Sequence, residues 1–212
     1  IARQQQLLRI DFETTPSHEV LAAKLADYER LLRVADVVIL SDYGKGGLAH
    51  IGEMIRLARD LGKPVLVDPK GEDFVRYAGA TLLTPNRAEL RHVIGRWASE
   101  AELKEKATRL RESLRLDALL VTRSEEGMSL FVGEQALHEP AQAREVYDVS
   151  GAGDTVIATL AVMLGSGLDL PQAIRQANLA AGVVVGKLGT AVVSREEIVR
   201  DISEERREKG EG

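Results

Sequence analysis

The 212 residues carry 33 acidic and 28 basic side chains, a formal net charge of −5, with 44% hydrophobic residues, 29% charged residues and no cysteine. These proportions suit one globular domain able to bury roughly 70% of its unfolded surface, and they exclude disulfides, thiolate metal sites and thiol nucleophiles. The acidic balance argues against a nucleic-acid surface, the longest apolar run, at 156–164, is too short to span a membrane, and the lack of cysteine points to the cytoplasm.

Residues 8–12 alternate apolar and charged side chains, which predicts a strand with one covered face. After a turn at 14–17, Val20, Leu21, Leu25, Tyr28, Leu31 and Leu32 recur at helical spacing and predict a helix over 18–33. A β-branched run at 35–40 reads as a strand buried on both faces, followed by the loop SDYGKGG. A helix over 48–61 stops at Gly62, and a strand over 64–67 leads into Asp68, Pro69 and Lys70. Further on come a short strand at 80–83, a helix opened by Asn86, a longer helix over 99–115 and an apolar strand at 117–122. Residues 127–132 and 135–139, separated by Gly133 and Glu134, read as a hairpin. An extended segment at 145–149 precedes helices over 152–164 and 171–187, and a last helix covers 194–202. This alternation predicts a three-layer α/β domain over 1–202 with a mostly parallel sheet, and residues 203–212 read as a charged tail or linker.

The turn at 150–153 is rich in small residues and opens the strongly apolar helix. Unpaired amides and the positive end of the helix dipole at such a turn make a seat for an anion. Asp154 stands in the first helical turn, either as an ordinary acidic residue favouring a helix start or as a proton acceptor beside bound phosphate. Other candidates follow predicted strands, where open parallel sheets bind their ligands. Asp42, Tyr43 and Lys45 could meet substrate hydroxyls or a phosphate, and Lys70 could meet a phosphate as a point charge. Asn86 and Glu89 fit a helix capping box, as do Ser99 with Glu102 and Ser194 with Glu197. The histidines at 18, 50, 92 and 138 show no metal-ligand spacing, and no serine-hydrolase elbow is present.

The string DVSGAGDT resembles the signature DTxGAGD of the ribokinase-like (PfkB-type) sugar kinases, with Ser150 where Thr is frequent. That resemblance extends from about 8 to 202 and implies a ribokinase-like fold using ATP and Mg2+. It implies that Asp154 is the catalytic base and that the amides of Gly151, Ala152 and Gly153 hold the transferred phosphoryl group. Asn86, Arg87, Ala88 and Glu89 match the family's NxxE motif, whose Glu acts on magnesium through water near the nucleotide. VTRSEEGMSL resembles the nucleotide loop VTxGxxG, placing Ser124 and Gly127 at the nucleotide although Ser124 replaces a glycine; Asn178 falls where the family lines its adenine pocket.

The strings LSDYGKG, VDPKG, ATLLTPN and AAGVVVGKLGT are similar to the heptose 7-phosphate kinase branch of that family. The expected reaction is then phosphorylation of the anomeric hydroxyl of D-glycero-β-D-manno-heptose 7-phosphate by ATP, toward ADP-heptose for lipopolysaccharide. A hexose-phosphate kinase, or a nucleotide-binding module without turnover, are the rival readings. By comparison with the family, the first strands and most of the lid are missing, so a longer parent chain is expected to cover an exposed sheet edge, or a partner chain to do so. A homodimer and a fused adenylyltransferase domain in that parent are compatible with the resemblance.

Overall fold

Each central strand divides its side chains between two cores. Strand β2 (Val65–Asp68) sends Val65 and Val67 to one face of the sheet and Leu66 to the other, and β4 (Ala118–Thr122) separates Leu119 and Val121 from Ala118 and Leu120 in the same way. Both faces are covered, which is why these strands read as continuous apolar runs. The structure, a computed structural model, describes residue 10 and residues 14–142 and 146–208.

One sheet holds six strands in chain order: β1 (Val38–Ser41), β2, β3 (Leu82–Leu83), β4, β5 (Met128–Val132) and β6 (Gln135–Glu139). The first four run parallel, and β5 and β6 return antiparallel as a hairpin. Helices α1 (His18–Leu32), α2 (Ile51–Asp60), α3 (Arg87–Ile94) and α4 (Glu100–Ser113) supply Leu32, Ile55, Leu90 and Leu103 to the core on one face. On the other face, α5 (Ala152–Gly165) and α6 (Leu170–Val185) contribute Ile157, Leu160 and Ile174. The expected three-layer, mostly parallel architecture is what forms. No helix among the described residues is long and apolar enough to cross a membrane.

The differences from expectation lie at element ends. Strand β1 starts at Val38 because the amides of Val34 and Ala35 still close the end of α1 onto Leu31. Helix α2 starts at Ile51 because residues 46–51 are used in two tight turns. No strand forms over 146–149: the Tyr147 and Asp148 amides both donate to the Val185 carbonyl, and Asp148 turns the chain by accepting from Ser150 N at 2.8 Å. Helix α7 (Arg195–Glu208) runs past Ile202 into the expected tail, as Glu- and Arg-rich sequences favour helix even without apolar side chains. The strand expected at 8–12 lies outside the described residues except for Ile10, which is exposed and in no strand.

Strand β1 has no neighbour on its outer side among the described residues. A groove of about 650 Å³ runs along it, lined by Tyr28 and Leu31 of α1, by Ile39, and by Tyr43 and Lys45 of the following loop.

Candidate active site

The loops after β1, β2 and β3 converge with the N-terminus of α5 at one end of the sheet. Gly151 caps α5 with φ of +80°, a left-handed conformation that glycine adopts without strain. The Ala152 amide donates to the Val149 carbonyl at 3.2 Å, so it is not the open donor expected from the sequence. The Gly153 and Asp154 amides have no acceptor among the described residues, and nothing lies within 4 Å of a Cβ built on Gly153. The open donors available to the expected anion seat are thus the amides of Gly153 and Asp154 rather than that of Ala152.

Asp154 is exposed beside that seat, and the Tyr43 hydroxyl donates to its Oδ1 at 3.4 Å. At the end of β2, burial pushes the Asp68 carboxyl up to about 6, with the charges of Glu89 and Asp154 adding to the rise and Lys70 and the Ser41 hydroxyl opposing it. The like-charge effect brings Asp68, Glu89 and Asp154 into one electrostatic neighbourhood. Sequence reasoning assigned no role to Asp68, although it closes the apolar run VLV at a strand end and falls within the string VDPKG.

Asn86 and Glu89 form the capping box at the start of α3: Asn86 Oδ1 accepts from the Ala88 and Glu89 amides, and Glu89 Oε2 accepts from Asn86 N at 3.0 Å. The other Glu89 oxygen faces Lys70 Nζ at 3.2 Å. The cap and the ion pair with Lys70 thus share one carboxylate. With both oxygens engaged, Glu89 suits a magnesium ion held through water, the mode in which Mg2+ keeps much of its hydration shell. No group of three or more potential metal ligands occurs among the described residues.

Several expected contact residues also have structural partners in the frame of the site. Asp42 is only 5% exposed: its Oδ1 accepts from Gly44 N, its Oδ2 accepts from the Tyr77 hydroxyl, both at 2.8 Å, and Arg76 lies 3.5 Å away. These bonds anchor its loop, and both Asp42 and Lys45 line the groove along β1. Arg87 pairs with Glu126 and lies over the Trp97 ring at 5.9 Å, and the Ala88 amide is taken by the cap. Arg87 thereby ties α3 to the loop after β4, while Ala88 belongs to the cap of α3.

That loop is fixed by Arg123, 5% exposed, which meets Glu100 at 2.6 and 2.7 Å and also pairs with Glu126. Ser124 is exposed at φ of +55°, the left-handed conformation that its glycine-like position requires. Gly127 is held by space as well as by conformation, since a Cβ there would lie 2.1 Å from the Glu139 carbonyl oxygen. Asn178 is buried rather than on the helix surface, and its amide donates to the Pro140 carbonyl at 2.7 Å. Gly127 and Asn178 therefore meet the same segment after β6. A parallel bridge between Asn86 and Thr122 ties this second locus to the first.

A family model described as pfkB family carbohydrate kinase matches residues 10–197. The chain is 56% identical over 198 residues to the D-beta-D-heptose 7-phosphate kinase of Bordetella bronchiseptica, covering 93% of this chain and 63% of that protein. It is 54% identical over 213 residues to the bifunctional protein HldE of Shewanella amazonensis, covering 100% of this chain and 45% of that protein. It thus spans less than two thirds of the length of each of these curated relatives. Among solved structures, Arabidopsis thaliana ribokinase complexed with ribose and ATP superposes with a TM-score of 0.74 at 24% identity, over 83% of this chain and 58% of that one. Escherichia coli phosphofructokinase-2 in complex with potassium gives 0.70 at 16% identity, over 86% and 62%. These two likenesses concern the fold.

Proposed function

The chain belongs to the pfkB family of carbohydrate kinases, and from that premise we propose that it carries the nucleotide side and the catalytic base of a kinase for D-glycero-β-D-manno-heptose 7-phosphate. The product would be the 1,7-bisphosphate, on the way to ADP-heptose for the lipopolysaccharide core. The observation that carries the chemical part is the exposed Asp154 carboxylate next to the free amides of Gly153 and Asp154. Identity above 50% to a heptose 7-phosphate kinase and to HldE supports the choice of sugar.

Phosphoryl transfer depends on placement and charge neutralisation more than on a strong nucleophile. In this reading the Gly153 and Asp154 amides receive the oxygens of the transferred group at the positive end of α5. Asp154 takes the proton of the anomeric hydroxyl, which a weak base can do because that proton leaves late in a loose transition state. Lys70 supplies a mobile positive charge, and Glu89 with Asp68 forms the acidic wall that would hold Mg2+ through water. The metal would supply neutralisation of the phosphate charge. The HldE name suggests that a fused adenylyltransferase is part of the natural chain, and a cytoplasmic enzyme fits a pathway fed by ATP.

The deciding experiment compares ADP release by the full-length natural protein with heptose 7-phosphate and with fructose phosphates. Preference for the heptose by at least about tenfold in kcat/KM is expected. Equal or better use of a fructose phosphate would assign it to another branch of the family, and ADP binding without turnover of any sugar would leave only a nucleotide-binding module.

A further inference from the structure

We infer that Tyr43 is a positioning residue for Asp154: its hydroxyl fixes the orientation of the carboxylate that receives the substrate proton, and the buried Asp42 side chain fixes Tyr43. The inference rests on the reading of Asp154 as proton acceptor. Tyr43 is 64% exposed, yet it belongs to a loop with little freedom. The preceding side chain is locked by Gly44 N, the Tyr77 hydroxyl and Arg76. On its other side, Gly44 at φ of +70° and Gly46 at φ of +77° make turns that other residues would strain, and a Cβ on Gly46 would lie 3.3 Å from Thr15 Cγ2. An aromatic ring held between such fixed points reaches across 111 residues of sequence to Asp154.

The chemistry suits the task. A neutral phenol donating to Oδ1 occupies one oxygen and leaves Oδ2 for the incoming alcohol, while adding no positive charge that would weaken the base. Elsewhere in the site the cation Lys70 is directed at Glu89. Tyr43 also lines the groove along β1, so a direct contact with the sugar is the competing role.

The test is Tyr43→Phe in the full-length natural protein, assayed with heptose 7-phosphate and ATP, alone and combined with Asp154→Asn. The ring is kept and its exposure makes unfolding no concern; an unchanged thermal midpoint checks this. A fall in kcat of about tenfold is expected, with both KM values within about twofold, and no further fall when Asp154 is already Asn. Unchanged kcat would overturn the inference, as would a raised KM for the sugar at unchanged kcat, which would make the hydroxyl a sugar contact. The same fractional loss in the Asp154→Asn background would also overturn it, because Tyr43 would then act independently of the carboxylate. Should Asp154→Asn alone retain near-normal turnover, the proton-acceptor reading falls and takes this inference with it; loss of turnover there with a normal Tyr43→Phe enzyme removes only the role of Tyr43.

Discussion

Lys70 Nζ lies 3.2 Å from Glu89 Oε1 while Glu89 Oε2 accepts the Asn86 amide at 3.0 Å, so one carboxylate both closes a helix cap and faces a cation of the site. The two duties can be separated by chemistry. Glutamine preserves the reciprocal cap but removes the charge.

Glu89→Gln should therefore keep the thermal midpoint close to that of the parent while raising the Mg2+ concentration for half-maximal rate by about tenfold or more. Glu89→Ala should show the same metal defect and also lose roughly 1 kcal/mol of stability with the cap. Titrating activity with Mg2+ beside thermal unfolding distinguishes them. An unaltered metal requirement in both variants would restrict Glu89 to capping.

Asp154→Asn should lower turnover by roughly 10²- to 10⁴-fold, the range that general-base catalysis contributes. Its exposure and its place outside the cores mean that folding and ADP binding should persist. Calorimetric ADP binding alongside steady-state rates provides the check.

The loop after β4 gives two stability changes of opposite sign. Gly127→Ala would drive a Cβ into the backbone at 139–141 at a φ of +89°, and a loss of about 3 kcal/mol or more is expected. Ser124→Gly relieves a left-handed conformation and should gain about 0.5 kcal/mol after the added freedom of the unfolded chain is subtracted. Urea unfolding of the two variants measures both effects.

Asp68 sets a pH dependence whose sign follows from its displacement. Its carboxyl is raised from 3.8 to about 6 on folding, chiefly by burial. Between those values the folded state binds more protons than the unfolded one, so stability falls as pH rises from about 4 to about 6 and stays lower above. Asp68→Asn should flatten that fall and make the protein more stable at pH 8 by up to roughly 2 kcal/mol. Unfolding free energies measured across this range would contradict the assignment if the parent and variant curves ran parallel.

Much of the fold was legible because the sheet is covered on both faces and its strands cannot avoid apolar runs, as at 65–67 and 118–121. Helix starts were legible where a polar side chain caps them, as Ser17, Asn86 and Ser99 do. The segment at 146–149 was misread because its local pattern looks extended, whereas its conformation is set by a contact with Val185, far along the chain. In the site, Asp154 and Glu89 announced themselves through short motifs. The anchoring role of Asp42 was not visible, since its partners Arg76 and Tyr77 lie 34 and 35 residues away and only folding brings them together. The occupied amide of Ala152 was hidden for a different reason: one turn decides which helix donors remain open.

The side of β1 that no described residue covers is an adhesive margin. A row of backbone donors and acceptors lying beside apolar Leu31 and Ile39 will recruit any extended polypeptide that reaches it. Because the same furrow ends at Tyr43 and Lys45, a strand seated there would sit across the approach to Asp154, so whatever covers this margin also governs access to that carboxylate.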